Sequence, residues 1–433
     1  MFKKYDAYKD SGVYWIGNIP SHWMRKKIKS IANIYNGDSL SPDMKAKFSI
    51  NTDCSNPYVS SKDIDVDTST LSYETGLSIP LSFSKYKLAP KNSVLLCIEG
   101  GSAGRKIAFT ETEVNFVNKL ACFYSRNINN KFIFYYLKSQ SFQVQFKLAL
   151  SGLIGGVSLS SLENFEIYCP SRTEQDQIVS FLDNKITELD QAIAIKEQQI
   201  TLLNERKQIV IQKAVTQGLD SNVPMKNSGV EWIGQIPEHW EIRANRTIFK
   251  ERNEQGKEGL PLLSVSIHSG VSNEEISEED NVRGRVKIED KSKYILVKKG
   301  DIAFNMMRAW QGGIGAVSVD GMVSPAYIVA KPNDLINSEF FEYQYRCPEF
   351  IQQMDRYSKG ITDFRKRLYW DGFKQLVTVV PPLEEQLKIV EQIKAIEQQT
   401  NFAIQIKNQQ IEKLKEYKTT LINDAVTGKI KVA

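Results

Sequence analysis

The stretch SGVYWIGNIPSHW at residues 11–23 returns as SGVEWIGQIPEHW at residues 228–240, with ten of thirteen positions identical at an offset of 217. A second pair follows the first. Residues 170–217 align without gaps on residues 381–428, an offset of 211, with 19 identities in 48 positions and the shared endings AVTQG and AVTG. The stretches between, 24–169 and 241–380, share little similarity, and their lengths differ by six residues, the difference between the two offsets. Repetition on this scale sets the plan of the chain. The expected parts are a repeat motif at 1–23, a variable domain at 24–169, a long central helix at 170–217, a connector with the second motif at 218–240, a second variable domain at 241–380 and a C-terminal long helix at 381–433.

The second repeated element reads as a helix. Leu182, Ile186, Leu189, Ile193, Lys196, Ile200, Leu203, Lys207, Val210 and Ala214 follow alternating steps of four and three. Ile393, Glu397, Thr400, Ile404, Lys407, Ile411, Leu414, Lys418, Leu421 and Ala425 repeat the pattern. Both are heptad seams without interior Gly or Pro. Each opens at a proline (Pro170; Pro381-Pro382) and closes near a glycine (Gly218; Gly428), the ordinary stop signals. A helix of this length spans roughly 60–65 Å. Lys196/Lys407 and Lys207/Lys418 interrupt the seams at matched positions, where a polar residue fixes register at a cost in stability. Equivalent units related by a two-fold axis run their helices in opposite directions, so the expectation is an antiparallel coiled coil acting as a ruler, with both chain termini close together.

The variable domains read as mixed helix and sheet. Strand-like runs are VLLCI (94–98), KIAF (106–109), YILV (294–297), DIAF (301–304) and LVTVV (376–380), and FIFYYLKS (132–139) and EFFEYQYR (339–346) look helical. The fold class is therefore α+β (mixed α/β), with two globular domains separated by two long antiparallel coiled-coil helices and an internal pseudo-two-fold repeat.

Hydrophobic residues make up 41% and charged residues 25% of the 433, which excludes a disordered, collagen-like or disulfide-scaffold chain. No apolar run reaches the 18 or so residues of a membrane span, and the start MFKKYD lacks the apolar stretch of a signal peptide. The five cysteines, Cys54, Cys97, Cys122, Cys169 and Cys347, are scattered and form no CxxC, so they read as reduced thiols. A soluble cytoplasmic protein is expected. The net charge of +5 permits a nucleic-acid partner without requiring one.

A catalytic centre is not legible. His22 and His239 occupy one position of the repeated motif beside Trp23 and Trp240, which favours packing, and the third histidine is His268. EGGSAGRK (99–106) lacks the GxGxxG spacing and is followed by a strand-like run, so it reads as a turn between strands. Asn56-Pro57-Tyr58 reads as a turn entering the strand-like YVSSKDI. Trp15 and Trp232, with Ile16/Ile233 and Pro20/Pro237, are expected to staple each domain to the helices. What remains suits DNA, because base edges are read by Arg, Lys, Asn and Gln and phosphates by further basic groups. The candidate contacts are Arg105 and Lys106 after the glycine turn, with Asn118 and Lys119 downstream. In the second domain Arg308, Trp310 and Gln311 occupy the corresponding place, and Lys359, Arg365, Lys366 and Arg367 form a basic cluster among aromatics.

The doubled SGVxWIGxIPxHW, the segments PPLEEQLKIV (381–390) and PSRTEQDQIV (170–179), and helices ending in AVT resemble the specificity subunit of Type I restriction-modification systems. GITDFRKRLYWDGFKQLVTVVPPLEEQ and LPLLSVSIHSGV also resemble parts of that family's target recognition domains. The likeness covers essentially the whole chain, with PSRTEQ standing where PPLxEQ is commoner. It implies a subunit without catalytic activity that reads a bipartite double-stranded DNA site, one half per recognition domain, with the helices setting the gap. Its implied partners are two copies of an adenine-N6 methyltransferase subunit and two ATP-driven endonuclease/translocase subunits. S-adenosylmethionine, ATP and Mg would belong to those partners, with no cofactor or metal on this chain. The alternative reading is a coiled-coil scaffold that does not touch DNA; a fused methyltransferase is disfavoured by the absence of a glycine-rich cofactor loop and of NPPY.

Overall fold

The computed structural model describes residues 2–49, 55–151, 155–267, 270–272, 293–360 and 365–432; Cys54, His268 and residues 361–364 of the basic cluster lie outside them. The chain forms two compact units, one of residues 1–197 with 408–433 and one of residues 198–407.

Each unit is built on the same sheet. In the first, the strands Asn33–Asn36, Leu120–Tyr124, Val94–Cys97 and Ile107–Phe109 lie side by side in that order, all antiparallel. In the second, Phe249–Glu251, Tyr327–Pro332, Ile302–Asn305 and Ile314–Ala316 repeat that order. Both faces are covered, which is why the inner strands read as unbroken apolar runs rather than alternating ones. Val94 and Leu96 pack into one core with the helices, while Leu95 and Cys97 face a separate core on the other side. Ile302 and Phe304 divide from Ala303 in the same way. The helices expected from FIFYYLKS and EFFEYQYR are Asn130–Lys138 and Ser338–Tyr345.

The chain enters and leaves each variable domain through one two-stranded ribbon, Met24–Lys27 with Glu166–Cys169 and Glu241–Ala244 with Val377–Val380. The second strand of each ribbon runs through Pro170 or Pro381 into a long helix, Arg172–Gln217 (46 residues) or Leu383–Val426 (44 residues). Within the first unit Asp190 meets Lys418, while Gly428 lies against Trp23, whose indole bonds Glu174. As the number on one helix rises from 174 to 190, the facing number falls from 428 to 418, so the pair is antiparallel. The second unit gives the same result, with Lys207 facing Asn401 and Gly218 beside Glu385. Seam positions 193, 196, 200, 203, 207 and 210 are half-buried, and most residues between them are exposed, as the heptad pattern requires. The two register lysines reach across symmetrically. Lys418 Nζ lies 2.6 Å from Asp190, and Lys207 Nζ lies 3.5 Å from Asn401, the residue at Asp190's position in the repeat. The chain ends also meet, since the Lys431 amide donates to the Lys3 carbonyl at 2.8 Å. Among the described residues no helix is long and apolar enough to cross a membrane.

Two local expectations need correction, and the connector gains a detail. Asn56-Pro57-Tyr58 is not a turn but part of the strand Ser55–Val59, with Asn56 opposite Ile79 and Pro57 opposite Ser78. The residues after it form a short 3-10 turn, Ser61–Asp63, because the Ser60 hydroxyl and amide are both tied to the Asp63 carboxylate at 2.8 Å. The polar connector contains a strand, Met225–Asn227, paired with Gln235–Pro237 as Tyr8–Asp10 pairs with Asn18–Pro20. Finally, Trp15 is 40% exposed, whereas Trp232 is half-buried against the core that the long-helix residues Ile211, Ala214 and Val215 share, with the Arg356 guanidinium 4.7 Å from its ring centre. The tryptophans that staple motif to helix are the fully buried Trp23 and Trp240.

Candidate nucleic-acid interface

The stapling fixes what each unit can present. The Trp23 indole N–H donates to Glu174 at 3.2 Å, and His22 Nε2 lies 3.0 Å from the same carboxylate. Trp240 and His239 hold Glu385 at 3.0 and 2.8 Å. Each glutamate sits in the first turn of its long helix, where a negative charge is favoured by the helix dipole. The next residues repeat the device. Gln175 donates to the Pro170 carbonyl and accepts from the Asn129 amide, and Gln386 does the same with Pro381 and Asn337. Asn129 and Asn337 in turn cap the domain helices Asn130–Lys138 and Ser338–Tyr345. Gln145 pairs with both backbone groups of Glu166, and Gln353 with both of Val377, so a side chain extends each ribbon like another strand. The sequence reading missed these residues, although Asn129/Asn337 and Gln145/Gln353 share one spacing of 208.

On this frame the basic candidates fall at one end of each sheet. In the first unit EGGSAGRK is a turn, joining Val94–Cys97 to Ile107–Phe109. Arg105 is exposed, and its guanidinium donates to the Gly101 carbonyl at 2.9 Å. Lys106 turns away and donates to the Ser61 carbonyl at 2.7 Å, beside a shallow depression of about 500 Å³ lined by Asp63, Asp65 and Thr70. The Asp65 carboxyl is held below its ordinary value, chiefly by the Thr68 amide and hydroxyl, with Lys106 a smaller cause. Asn118 and Lys119 are exposed beside the turn, where the Lys119 carbonyl accepts from the Ile98 amide and its ammonium lies 3.4 Å from Glu99.

In the second unit the turn between Ile302–Asn305 and Ile314–Ala316 carries a short 3-10 helix, Ala309–Gln311. Arg308 is exposed and donates to the Gln311 side-chain carbonyl at 2.7 Å. Trp310 donates to the Met307 carbonyl and supports the Lys366 ammonium 5.0 Å from its ring centre. Lys366 is also ion-paired to Asp355 at 2.7 Å. Lys359 and Arg367 exchange backbone hydrogen bonds, and the Leu368 amide donates to the Met306 carbonyl at 2.9 Å. Two segments well separated in sequence thus form one surface, with Arg308, Trp310 and Gln311 on one side and Lys359, Arg365, Lys366 and Arg367 on the other.

The first unit has a matching second loop that the sequence reading did not identify. Ser151 and Gly156 exchange backbone bonds as Lys359 and Arg367 do, and the Val157 amide donates to the Ile98 carbonyl as Leu368 does to Met306. This loop, SGLIGGV at 151–157, carries no charge. Equivalent loops in the two units therefore differ in chemistry, one basic and one neutral.

The described cysteines, Cys97, Cys122, Cys169 and Cys347, are buried thiols whose acidity is suppressed by burial, Cys122 and Cys169 to about 11 and Cys347 to about 12. Among the described residues no group of three or more His, Cys, Asp or Glu side chains is placed to hold a metal ion.

Comparison with known proteins gives one consistent answer. The family of Type I restriction modification DNA specificity domains matches residues 20–205 and again 230–416. A putative type I restriction enzyme MjaX specificity subunit of Methanocaldococcus jannaschii is 24% identical over 436 residues, covering 96% of each chain. The MjaVIII specificity subunit of the same organism is 24% identical over 373 residues, covering 81% of each. Among solved structures, a chain from a study of complex assembly and conformational transition in the type I R-M system superposes with a TM-score of 0.67 at 13% identity, covering 95% of this chain and 99% of that one. The HsdS subunit from Thermoanaerobacter tengcongensis gives 0.55 at 13% identity, covering 97% and 100%.

Proposed function

The chain belongs to the family of Type I restriction modification DNA specificity subunits, and we propose on that premise that each of its units reads one half of a bipartite, asymmetric DNA site. The observation that carries this is the shared sheet end. The same hairpin, between the same two strands, presents Arg105 beside Asn118 and Lys119 in one unit and Arg308 beside Gln311 and the 359–367 loop in the other. Asn118, Arg308 and Gln311 suit the major-groove edges of adenine and guanine, and Arg105 with the flanking lysines suits phosphates. The two sets of side chains differ, so the half-sites differ.

The chain itself contributes recognition and no chemistry in this reading. S-adenosylmethionine, ATP and Mg belong to the partners, two adenine-N6 methyltransferase subunits and two endonuclease/translocase subunits. The long helices set the unread gap and dock the methyltransferases. In the second unit Leu202 and Ile209 are seven residues apart on one helix, off the seam and more than half exposed, which suits an apolar contact with a partner.

Methylation-sensitive long-read sequencing of host genomes with and without the gene tests the reading. Loss of one interrupted, asymmetric, adenine-methylated motif is expected. A methylome that does not change when the gene is deleted, in a strain where the methyltransferase is active, overturns it.

A further inference from the structure

The glycine turn of the first unit has features that a simple hairpin connection does not need. Gly100 takes a left-handed φ of +89°, and a Cβ added at Gly100 or Gly101 would meet nothing within 4 Å. The neighbouring loop is equally bare at Gly155, whose carbonyl accepts from the Gly100 amide at 2.9 Å. Gly155 itself has a φ of +69°, whereas Gly101 has neither a left-handed φ nor a close neighbour among the described residues that calls for glycine. Among the described residues the successive amides of Gly101 and Ser102 have no hydrogen-bond acceptor. Successive backbone N–H groups beside a left-handed residue make anion-binding concavities. The Arg105 guanidinium, tied to the Gly101 carbonyl at 2.9 Å, places a positive charge at its rim. The one carboxylate on the turn, Glu99, is ion-paired to Lys119 at 3.4 Å.

We propose that residues 100–105 are a backbone phosphate clamp of the first unit, in which the Gly101 and Ser102 amides, the Ser102 hydroxyl and Arg105 hold one DNA phosphodiester. The proposal rests on the DNA-reading function above and goes beyond it by dividing the labour unequally. The second unit draws its phosphate contacts from side chains of the 359–367 loop. The first, whose equivalent loop has no charge, draws them from the main chain of the glycine turn together with Ser102 and Arg105. An amide donor is strong toward an anion because the hydrogen bond is charge-assisted and the donor needs no ordering.

The test uses the full chain, co-purified with its methyltransferase subunit, and a labelled mixed-sequence DNA duplex titrated at several salt concentrations. Gly101→Val adds a side chain into open space, so the fold is retained while close approach is blocked. It is expected to weaken binding about tenfold and, because a phosphodiester kept out of the clamp also leaves Arg105, to lower the slope of log affinity against log salt by at most about one. Arg105→Ala is expected to lower that slope by about one. Arg365→Ala in the second unit serves as the reference. If Gly101→Val binds like the parent while Arg365→Ala is weakened, the clamp is wrong and the DNA reading stands. If parent, Gly101→Val and Arg365→Ala all bind with the same salt-independent affinity, the DNA reading fails and the clamp with it.

Discussion

Replacing Glu174 by Ala should loosen the junction between the first motif and its long helix far more than the matched replacement at Glu385. The Trp23 side chain is fully buried, so removing its acceptor strands an indole N–H away from water, at about 1–3 kcal/mol. Glu174 is also the sole acidic residue in the first turn of its helix, and losing that charge adds about 0.3–1 kcal/mol. His22 is half exposed and can turn to water, so its bond contributes little. At the middle of these ranges the sum is about 2–3 kcal/mol. Glu385 differs in two ways. Its side chain is 28% exposed against 11% for Glu174, so water can reach the stranded Trp240 donor, and Glu384 remains to face the helix dipole. Its loss should be about 1 kcal/mol. Hydrogen-exchange mass spectrometry on the full chain resolves the two sites, because local opening is read peptide by peptide. Exchange across residues 172–182 should quicken about 30- to 150-fold in Glu174→Ala, and across 383–393 only about fivefold in Glu385→Ala. Glu174→Gln keeps an acceptor and should recover more than half the loss. Equal effects at the two sites, or a Gln variant as open as the Ala variant, would refute the reasoning.

Gly428→Ala should destabilise the first unit strongly, because φ is +73° and the new Cβ would lie 2.3 Å from Pro20 Cδ. Gly218→Ala, whose nearest contacts are at 3.3 Å, should cost only about 1–2 kcal/mol; denaturant melts of the two variants check the order. The four described thiols bind protons more tightly folded than unfolded. Their contribution to stability is therefore complete below the unfolded value of about 8.5 and is lost as pH rises toward about 11. An Ellman titration at about pH 8, just below the free thiol value, should accordingly find them unreactive until denaturant is added, and prompt reaction of Cys122 or Cys169 in the native chain would show their burial to be wrong. Replacing Arg365, Lys366 and Arg367 together by Ala should weaken DNA binding and lower its salt slope; an unchanged slope removes the loop from the interface. Inserting a few residues at matched points of both long helices should lengthen the unread gap in the methylated motif, and an unaltered gap would overturn the spacer role.

The long helices were legible because a heptad seam constrains every third or fourth residue, and because the duplicated segment keeps 19 of 48 positions. The inner strands were legible for a simpler reason, being covered on both faces and so apolar throughout. What could not be read was that the two variable domains share one sheet. Val94-Leu95-Leu96-Cys97 and Ile302-Ala303-Phe304-Asn305 occupy the same place without a single identity. A buried strand position asks for volume and apolarity, which many residues supply, so the fold can be kept while the sequence drifts.

Hydrogen bonds behave differently, and the contrast locates where specificity can vary. Gln145 and Gln353 each close a ribbon edge with one donor and one acceptor at fixed spacing, and no apolar residue can replace them. Asn129 and Asn337 each join a helix cap to the glutamine of the long helix, again a task of matched donors and acceptors. These residues recur in both units although the stretches around them do not, because a stranded buried polar group costs more than a reshaped apolar contact. The loops at the sheet end carry neither constraint. Residues 151–157 and 359–367 keep the same backbone bonds at their ends and differ in length, charge and composition between them. A frame fixed by polar geometry, with segments 151–157 and 359–367 lying outside it, allows one end of each unit to change its surface chemistry without disturbing the long helices.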